Sequence, residues 1–390
     1  MQTLSKTLIK KTLQWIKGVE KELSRDELLA MKATLETDND RLKGDLESSR
    51  DDNKRMSEVI GHLENDLGVT IAMLDRDVPS ILEQTPYPTG FYSFGKARPE
   101  GVRFFNQAIL EREGKDFLIC RRATPNTSLA SGFNDIVAFE LNNNNPVYMH
   151  PVQFKSTYKD QHFEDPRAVT IAGRVMISVT SFTTKGNSVT SYPHQLIGAV
   201  ASDGWRINPC YDPIYGTNGG SCATCTGHEK NWLWFEHDGV PMFVYSNYPH
   251  VVVEMPDYMT TSRIHKTEVK NPYWMHGEIR GGTPPVRIGD EYLSFFHSSL
   301  PWIGHKRRYH MGAYCFEAKP PFKITRSSLL PILSGSRNDP WVQGLPLVVF
   351  PCGSLLRNGE WLVTLGVNDC ESAWIKIPHE RLMETMKKIE

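Results

Sequence analysis

Five stretches of this 390-residue chain read as the same β-hairpin, and that recurrence narrows its fold more than any other feature. Each run of β-branched, aromatic and aliphatic residues turns at a glycine and continues. The five are Ala108–Ile119 around Gly114, Ala168–Val179 around Gly173, Leu233–Tyr245 around Gly239, Pro285–Phe296 around Gly289 and Ser354–Leu365 around Gly359. Such side chains suit a pleated, half-buried surface, and glycine eases the tight turn between strands. Another apolar run follows each hairpin, at Ile136–Leu141, Gln195–Val200, Val251–Met255, Met311–Phe316 and Ala373–Ile377, with centres roughly 55 to 62 residues apart. A multi-strand unit repeated in this way must deal with its exposed edges, and radial stacking of four-stranded blades does so. A β-sandwich has no need of such regular hairpins. The expected fold is an all-β five-bladed β-propeller over residues 100–390.

The chain before residue 100 is of another kind. Residues 1–23 place Leu4, Leu8, Trp15, Ile16, Val19 and Leu23 among Lys6, Lys10, Lys11, Lys17 and Lys21, the pattern of an amphipathic basic helix. Packing on a partner helix suits it better than a membrane surface. Ser24 and Glu27 match a capping box that opens a new helix. From there the apolar period is seven. Leu28, Leu35, Leu42, Met56 and Leu63 share one heptad position, and Lys32, Asn39, Leu46, Asn53, Ile60, Leu67 and Leu74 share the position four residues on. The reading is an α-helical coiled coil over 24–75, with Asn39 and Asn53 fixing the register of a parallel homo-oligomer. A single long helix packed on the globular part is the alternative. Pro79, Pro86 and Pro88 end the helical section and leave 76–99 as linker.

Composition excludes several classes. The formal net charge is −1, which gives no basic patch for nucleic acid or an anionic membrane. No stretch approaches the ~20 apolar residues of a membrane span. The Lys-rich start lacks the continuous apolar segment of a signal peptide. Seven scattered cysteines suit a reducing compartment, so the expected location is cytoplasmic. Cys222 and Cys225 form a lone pair, half of what a zinc site needs, and no metal is expected.

In a propeller the innermost strands supply the central site, and their ends here carry polar residues in every unit. They are Arg121 and Arg122; Glu164, Asp165 and Arg167; Lys230, Asn231 and Trp232; Arg280, Thr283 and His297; and Asn368, Asp369 and Glu371. Any one alone reads as a turn residue or an ion pair, and Asp-Pro is ordinary turn chemistry. Recurrence in five units points to a shared site instead. Carboxylic acids among Arg, Lys and His can protonate a leaving oxygen while cations hold an anion. Inverting glycoside hydrolysis needs an acid and a separate base. Phosphorolysis needs the acid and a cationic cradle.

These segments resemble glycoside hydrolase family 130, the β-mannoside phosphorylases and related mannosidases, over roughly residues 100–377. Glu164-Asp165-Pro166-Arg167 before an apolar hairpin is similar to the family signature, whose Asp is the general acid. Gly281-Gly282-Thr283-Pro284-Pro285 before Tyr292–His297 resembles its fourth-blade segment, whose His helps to bind phosphate. Phe350-Pro351-Cys352-Gly353 and Leu365–Asp369 resemble its last blade, with an Asp that contacts the sugar. Glu229–Trp232 and Tyr245–His250 resemble a branch in which the Lys contacts phosphate.

The resemblance implies an enzyme that cleaves or forms β-linked mannosides with inversion, by phosphorolysis more than by hydrolysis. It needs no cofactor beyond inorganic phosphate as co-substrate. Asp165 is the expected acid, acting directly or through a substrate hydroxyl; burial acts to raise its pKa and the neighbouring cations oppose that, and the sequence does not decide between them. Arg167, Lys230, Arg280 and His297 are expected to hold phosphate. Arg121, Glu164, Asn231, Trp232, Tyr245 and Asp369 are expected to contact sugar, with Trp232, Tyr245 and Tyr248 as stacking candidates or core aromatics.

The family's phosphorylases carry arginines after the Asp hairpin, where Ser181–Pro193 offers only Lys185. Hydrolysis with Asp369 or Glu278 as base therefore stays open, as do sugar transfer and a non-catalytic carbohydrate-binding propeller on a stalk. A Gly-rich phosphate loop for a nucleotide-sugar donor is not apparent.

Overall fold

A computed structural model describes residues 85–95, 100–124, 134–143, 145–154, 161–185, 188–189, 194–213, 230–269, 274–301, 307–335 and 347–389. The basic helix, the heptad segment and the Cys222/Cys225 pair lie outside them. The five glycines turn the chain where expected. Four turns carry two successive left-handed residues: Glu113–Gly114 (φ 55° and 74°), Ala172–Gly173 (49° and 70°), Asp238–Gly239 (49° and 79°) and Asn358–Gly359 (50° and 75°). That is the type I′ hairpin, whose twist matches the flanking strands and which favours glycine at its second position. At the fifth turn only Gly289 has a positive φ, of 58°, the type II′ arrangement.

Five antiparallel sheets grow outward from these hairpins. The first runs Arg103–Arg112, Lys115–Ala123, Asn134–Asn142, Asn145–Pro151. The second runs Gln161–Ile171, Arg174–Lys185, His194–Val200, Arg206–Tyr211, with Gln153–Phe154 parallel on its outer edge. The third runs Leu233–His237, Val240–Asn247, His250–Glu254, Arg263–Thr267. The fourth runs Glu291–Pro301, Arg307–Glu317, Ile324–Ser328, with Arg280–Gly281 and Val286–Ile288 on its inner side. The fifth runs Val349–Arg357, Glu360–Val367, Glu371–Pro378.

Consecutive sheets touch through their inner strands, and Val349–Arg357 returns to Arg103–Arg112, so the sheets form a ring. The core is divided accordingly, with one hydrophobic cluster in each gap. Ile119 and Ile136 pack on Ile177 and Trp205 between the first two sheets. Met176 and Ile197 meet Trp232 and Trp234 in the next gap. Phe235 and Val252 then meet Phe296 and Phe316. Phe295 and Met311 meet Trp361 and Val363, and Phe104 and Phe139 meet Leu355 and Trp374. Each sheet is apolar on both faces because it serves two gaps. The fold is an all-β, propeller-like ring.

The fifth sheet takes its outermost strand, Thr89–Phe91, from the other end of the ring; Thr89 pairs with Ile375 and Phe91 with Ala373. Tyr92 and Phe94 follow into the core, where the Phe94 ring lies 4.8 Å from both Phe104 and Phe139. After Pro378 a short helix, His379–Thr385, carries the chain back to the fourth sheet, where Met386–Lys388 pairs with Ile324–Ser328.

Candidate active site

The innermost strands slip register at corresponding places: between Phe105 and Ala108, between Glu164 and Arg167, and between Pro351 and Gly353. Such a bulge places an extra residue in the strand and re-aims its side chain. The residue gained after Phe105 is Asn106, and after Glu164 it is Asp165, both with φ 49°. In the third sheet Asn231 takes φ 67° just before Trp232 and Leu233. Asn and Asp tolerate this left-handed geometry better than other residues with a Cβ. Three sheets thus present Asn, Asp and Asn from equivalent kinks.

The first two of these kinks meet. Asn106 Nδ2 donates to Asp165 Oδ1 at 2.8 Å and reaches Asp369 Oδ1 at 3.5 Å. Asp369, with φ 52°, follows the last inner hairpin. Arg121, 5 % exposed, binds Glu164 through Nη2, reaches Asp165 Oδ1 from Nη1 at 3.5 Å and donates from Nε to Asn134 Oδ1 at 3.2 Å. Asn134 Nδ2 donates to the same Glu164 oxygen at 3.2 Å, and its backbone N–H donates to His162 Nδ1 at 3.3 Å. The Arg121 guanidinium also lies 4.9 Å from the Phe105 ring centroid. Gly366 makes room for this network, since a Cβ there would stand 1.8 Å from Asn106 Oδ1.

A cationic group lies beside the carboxyls. Arg167 is 2 % exposed, donates from Nη1 to its neighbour's backbone at Asp165 O (2.7 Å) and from Nε to Gly282 O, and stacks 5.0 Å over Phe350. Its Nη2 is buried without a hydrogen-bond partner, as is Nδ1 of His297. The His297 ring packs 4.4 Å from Phe350 and parallel to Tyr309 at 5.9 Å. Lys230 is exposed, and Arg280 pairs with Glu278 at 2.8 Å. These two cations line a cavity of about 350 Å³ together with Asn231, Tyr245, Asn247 and Glu278.

The electrostatics resolve what the sequence left open. Burial would raise the Asp165 carboxyl, but Arg121, Arg167 and the Asn106 hydrogen bond outweigh it and hold Asp165 below its ordinary value. Its neighbours go the other way. Burial pushes Glu164 up to about 7 against Arg121, and it raises Asp369 likewise. Burial, then the charges of Arg167 and Arg280, lower His297 to about 3. His297 is therefore neutral at physiological pH and offers a hydrogen bond to an anion, not a charge.

Of the expected residues, Asp165, Glu164, Arg121, Arg167, Asp369 and His297 come together, with Lys230 and Arg280 at the rim. Trp232 takes the core role: it is 1 % exposed and lies flat on Phe243 at 4.5 Å, inside the gap between the second and third sheets, while also bordering the cavity. Arg122 is held by Asp135 in a two-pronged pair. The Thr283 hydroxyl accepts from Phe295 N–H at 3.0 Å and belongs to the backbone scaffold. Asn368 is buried and accepts from Val348 N–H at 3.0 Å. Tyr248 is exposed at the turn, while Tyr245 stays at the cavity wall. Asn106, Asn134, Phe350 and Tyr309 were not expected as site residues. Setting Phe104-Phe105-Asn106 beside Phe163-Glu164-Asp165 exposes the first of them, because both units place the kinked residue two positions after a Phe.

The family described as beta-1,4-mannooligosaccharide phosphorylase, glycoside hydrolase family 130, matches residues 81–388. The chain belongs to this family. Its members are mannoside phosphorylases and hydrolases that act on β-mannosidic linkages, so the chain is an enzyme of the glycoside phosphorylase or hydrolase type. No curated protein matches the sequence. Among solved structures, β-1,2-mannobiose phosphorylase from Listeria innocua has a TM-score of 0.56 at 14% identity, covering 74% of this chain and 93% of its own. A mannose phosphorylase from Leishmania mexicana, solved with phosphate ion, has a TM-score of 0.51 at 13% identity and covers 78% and 92%. A GDP-Man-dependent mannosyltransferase from the same organism has a TM-score of 0.51 at 12% identity and covers 76% and 92%. At these identities the likeness is one of fold. Among the described residues no cluster of three His, Cys, Asp or Glu side chains is placed to hold a metal ion. No helix among them is long and apolar enough to cross a membrane.

Proposed function

We propose that this chain is an inverting β-mannoside phosphorylase in which the five sheets act as the five blades of a propeller. The observation that carries the reading is the apposition of two groups. A carboxyl cluster, Glu164, Asp165 and Asp369, lies beside Arg167 and His297, each of which keeps a buried nitrogen without a partner. In this reading Asp165 protonates the glycosidic oxygen, directly or through a sugar hydroxyl. Phosphate is held by Arg167, Lys230, Arg280 and His297 and attacks the anomeric carbon from the opposite face. The products are the shortened sugar and a mannose 1-phosphate of inverted configuration. Arg121, Glu164, Asn231, Tyr245 and Asp369 would contact the sugar. Inorganic phosphate is the only co-substrate, and Arg167 and His297 take the place of the arginines that Ser181–Pro193 lacks.

Hydrolysis would require a base to activate water. Glu278 is a poor one, with its side chain 70% exposed and paired to Arg280, which leaves the half-buried Asp369. A second reading is sugar transfer from a phosphate-linked donor. The cavity beside Lys230 and Arg280 favours it, because about 350 Å³ is in the range of small-molecule sites and large for a lone phosphate ion.

The full chain is to be incubated with β-mannobioses with and without inorganic phosphate, beside Asp165→Asn. Phosphate-dependent formation of sugar 1-phosphate, reduced about 10²- to 10⁴-fold in the variant, is expected. Cleavage indifferent to phosphate would assign hydrolysis, and turnover only with GDP-mannose would assign transfer. Sugar binding without turnover from any donor would leave a carbohydrate-binding propeller. We further infer that the heptads of residues 24–75 make the chain a parallel oligomer, which light scattering of the whole chain against a chain starting at Gln84 tests. The free cysteines Cys120, Cys210, Cys315 and Cys352 suit a cytoplasmic setting.

A further inference from the structure

Charge balance in the buried site has a consequence for how its acid acquires a proton. Three carboxyls are gathered there: Glu164 and Asp165 from the second sheet and Asp369 from the fifth. Three cations face them: Arg121 from the first sheet, Arg167 from the second and Lys230 at the start of the third. The remaining ionisable neighbours are Arg280, the neutral His297 and Tyr309 from the fourth sheet, with His162 one hydrogen bond away behind Asn134. With Arg280 paired to Glu278, full ionisation of the three carboxyls would just cancel the three cations in the unliganded site. The carboxyls are largely shielded, with the Asp165 side chain 15 % and the Glu164 side chain 19 % exposed and Asp369 half-buried. A dianion seated among Arg167, Lys230 and His297 breaks the balance. Carboxyls largely shielded from water do not all stay ionised beside two added negative charges; one of them protonates instead.

We propose that binding of the anionic co-substrate among Arg167, Lys230 and His297 draws a proton from solvent onto the Glu164–Asp165–Asp369 cluster, so that phosphate arms the acid that it needs. This rests on the phosphorylase reading above. The proton belongs to the cluster as a whole, because the three groups share Arg121 and Asn106 as partners. Glu164 is the group poised to gain it, since its carboxyl already titrates near 7. Asp165 is the group placed to deliver it. Asn106 and Arg121 both reach Oδ1, which leaves Oδ2 for the proton and the substrate.

The cycle balances. The cluster's proton goes to the leaving sugar oxygen as the bond from C1 to that oxygen breaks and the bond from C1 to a phosphate oxygen forms. The attacking hydrogen phosphate becomes a monoprotonated phosphate ester, and its proton returns to the cluster before the dianionic product leaves. One proton is thus borrowed from solvent when phosphate binds and is released with the sugar phosphate.

Sulfate is the probe, because it is a dianion that does not titrate near neutrality. Titration calorimetry of the full chain at pH 7.5, in two buffers of different ionisation heat, reads protons taken up per sulfate bound. The expected result is uptake of a substantial fraction of one proton, fading at pH values well below 7, where Glu164 already carries its proton. In Glu164→Gln sulfate still binds and the uptake falls several-fold. Sulfate that binds the unaltered chain with equal heats in the two buffers, or with proton release, overturns the proposal and leaves the phosphorylase reading standing. Failure of both sulfate and phosphate to bind overturns both readings. The comparison across pH needs only the unaltered chain, so a Glu164→Gln chain that did not fold would still leave a decisive measurement.

Discussion

Gly366→Ala is the sharpest test of how the carboxyls are held. Gly366 has no left-handed φ to protect, so the effect comes from what a new Cβ would meet, and every one of those contacts is with Asn106. The new Cβ would stand 1.8 Å from Asn106 Oδ1 and 2.9 Å from both Asn106 Cγ and the Asn106 backbone nitrogen, so the amide must move and the backbone must give slightly. Moving it removes the 2.8 Å hydrogen bond to Asp165 and the longer reach to Asp369. A hydrogen bond to a charged group contributes about 1.5–3 kcal/mol, so kcat/KM should fall roughly 10- to 150-fold. The Asn106 bond is one of the interactions that lower Asp165, so its loss moves that carboxyl's titration upward and shifts the alkaline limb of the pH–rate profile, where the acid loses its proton, to higher pH. The assay is phosphate-dependent sugar 1-phosphate formation, with thermal unfolding confirming an intact fold. Asn106→Gly supplies the comparison, because glycine keeps φ 49° without strain and removes the amide outright. If Gly366→Ala acts through Asn106, the double variant is no worse than the worse single one. Full additivity, or a Gly366→Ala enzyme with unchanged activity and pH profile, would refute the reasoning.

Two further outcomes concern stability. Glu164 binds its proton more tightly in the folded chain (near pH 7) than at its ordinary value of 4.5, so its contribution is complete below pH 4.5 and is lost as pH rises towards 7. Urea midpoints should therefore fall between pH 5 and 7.5 by less in Glu164→Gln than in the unaltered chain, and an equal fall would contradict the assignment. Asp165, held low, acts with the opposite sign and contributes above its ordinary value of 3.8. Phe94→Ala removes a 5 % exposed ring packed on Phe104 and Phe139, and should cost about 3–5 kcal/mol in guanidinium unfolding; a loss below about 1 kcal/mol would mean that the terminal strand contributes little.

The fold was legible because its signals are local. Gly114, Gly173, Gly239, Gly289 and Gly359 each mark a turn whose backbone favours glycine, and the apolar runs beside them are the strands that fill the gaps. The pairing of Thr89–Phe91 with Glu371–Pro378 was not legible, since no periodicity links strands so far apart. At the site, residue type was a good guide to position for Asp165, Glu164, Arg167 and Asp369, which resemblance and repetition both single out. It was a poor guide for Trp232 and Arg122. A Trp next to a polar cluster reads as a sugar platform, yet burial between two sheets decides its role, and burial is set by partners such as Phe243 in another strand. Ionisation was beyond the sequence for the same reason. Whether burial or neighbouring cations control Asp165 depends on Arg121, a residue of another sheet brought to 3.5 Å.

The clasp in the fifth sheet also sets the order of events during synthesis. Thr89–Phe91 leaves the ribosome first among the ring strands, yet its partner Glu371–Pro378 is made near the end of the chain. Until then the first sheet lacks the cover of Leu355, Leu362 and Trp374 over Phe104 and Phe139. Early sheets can form hairpins as they emerge, but the nascent ring stays open and presents unpaired apolar edges. Closure is then a single long-range step, whose loop entropy falls on the last residues made. A ribosome stalled before residue 371 would therefore hold an arc of sheets that cannot finish folding, however complete its active-site residues Arg121, Asp165 and His297 already are.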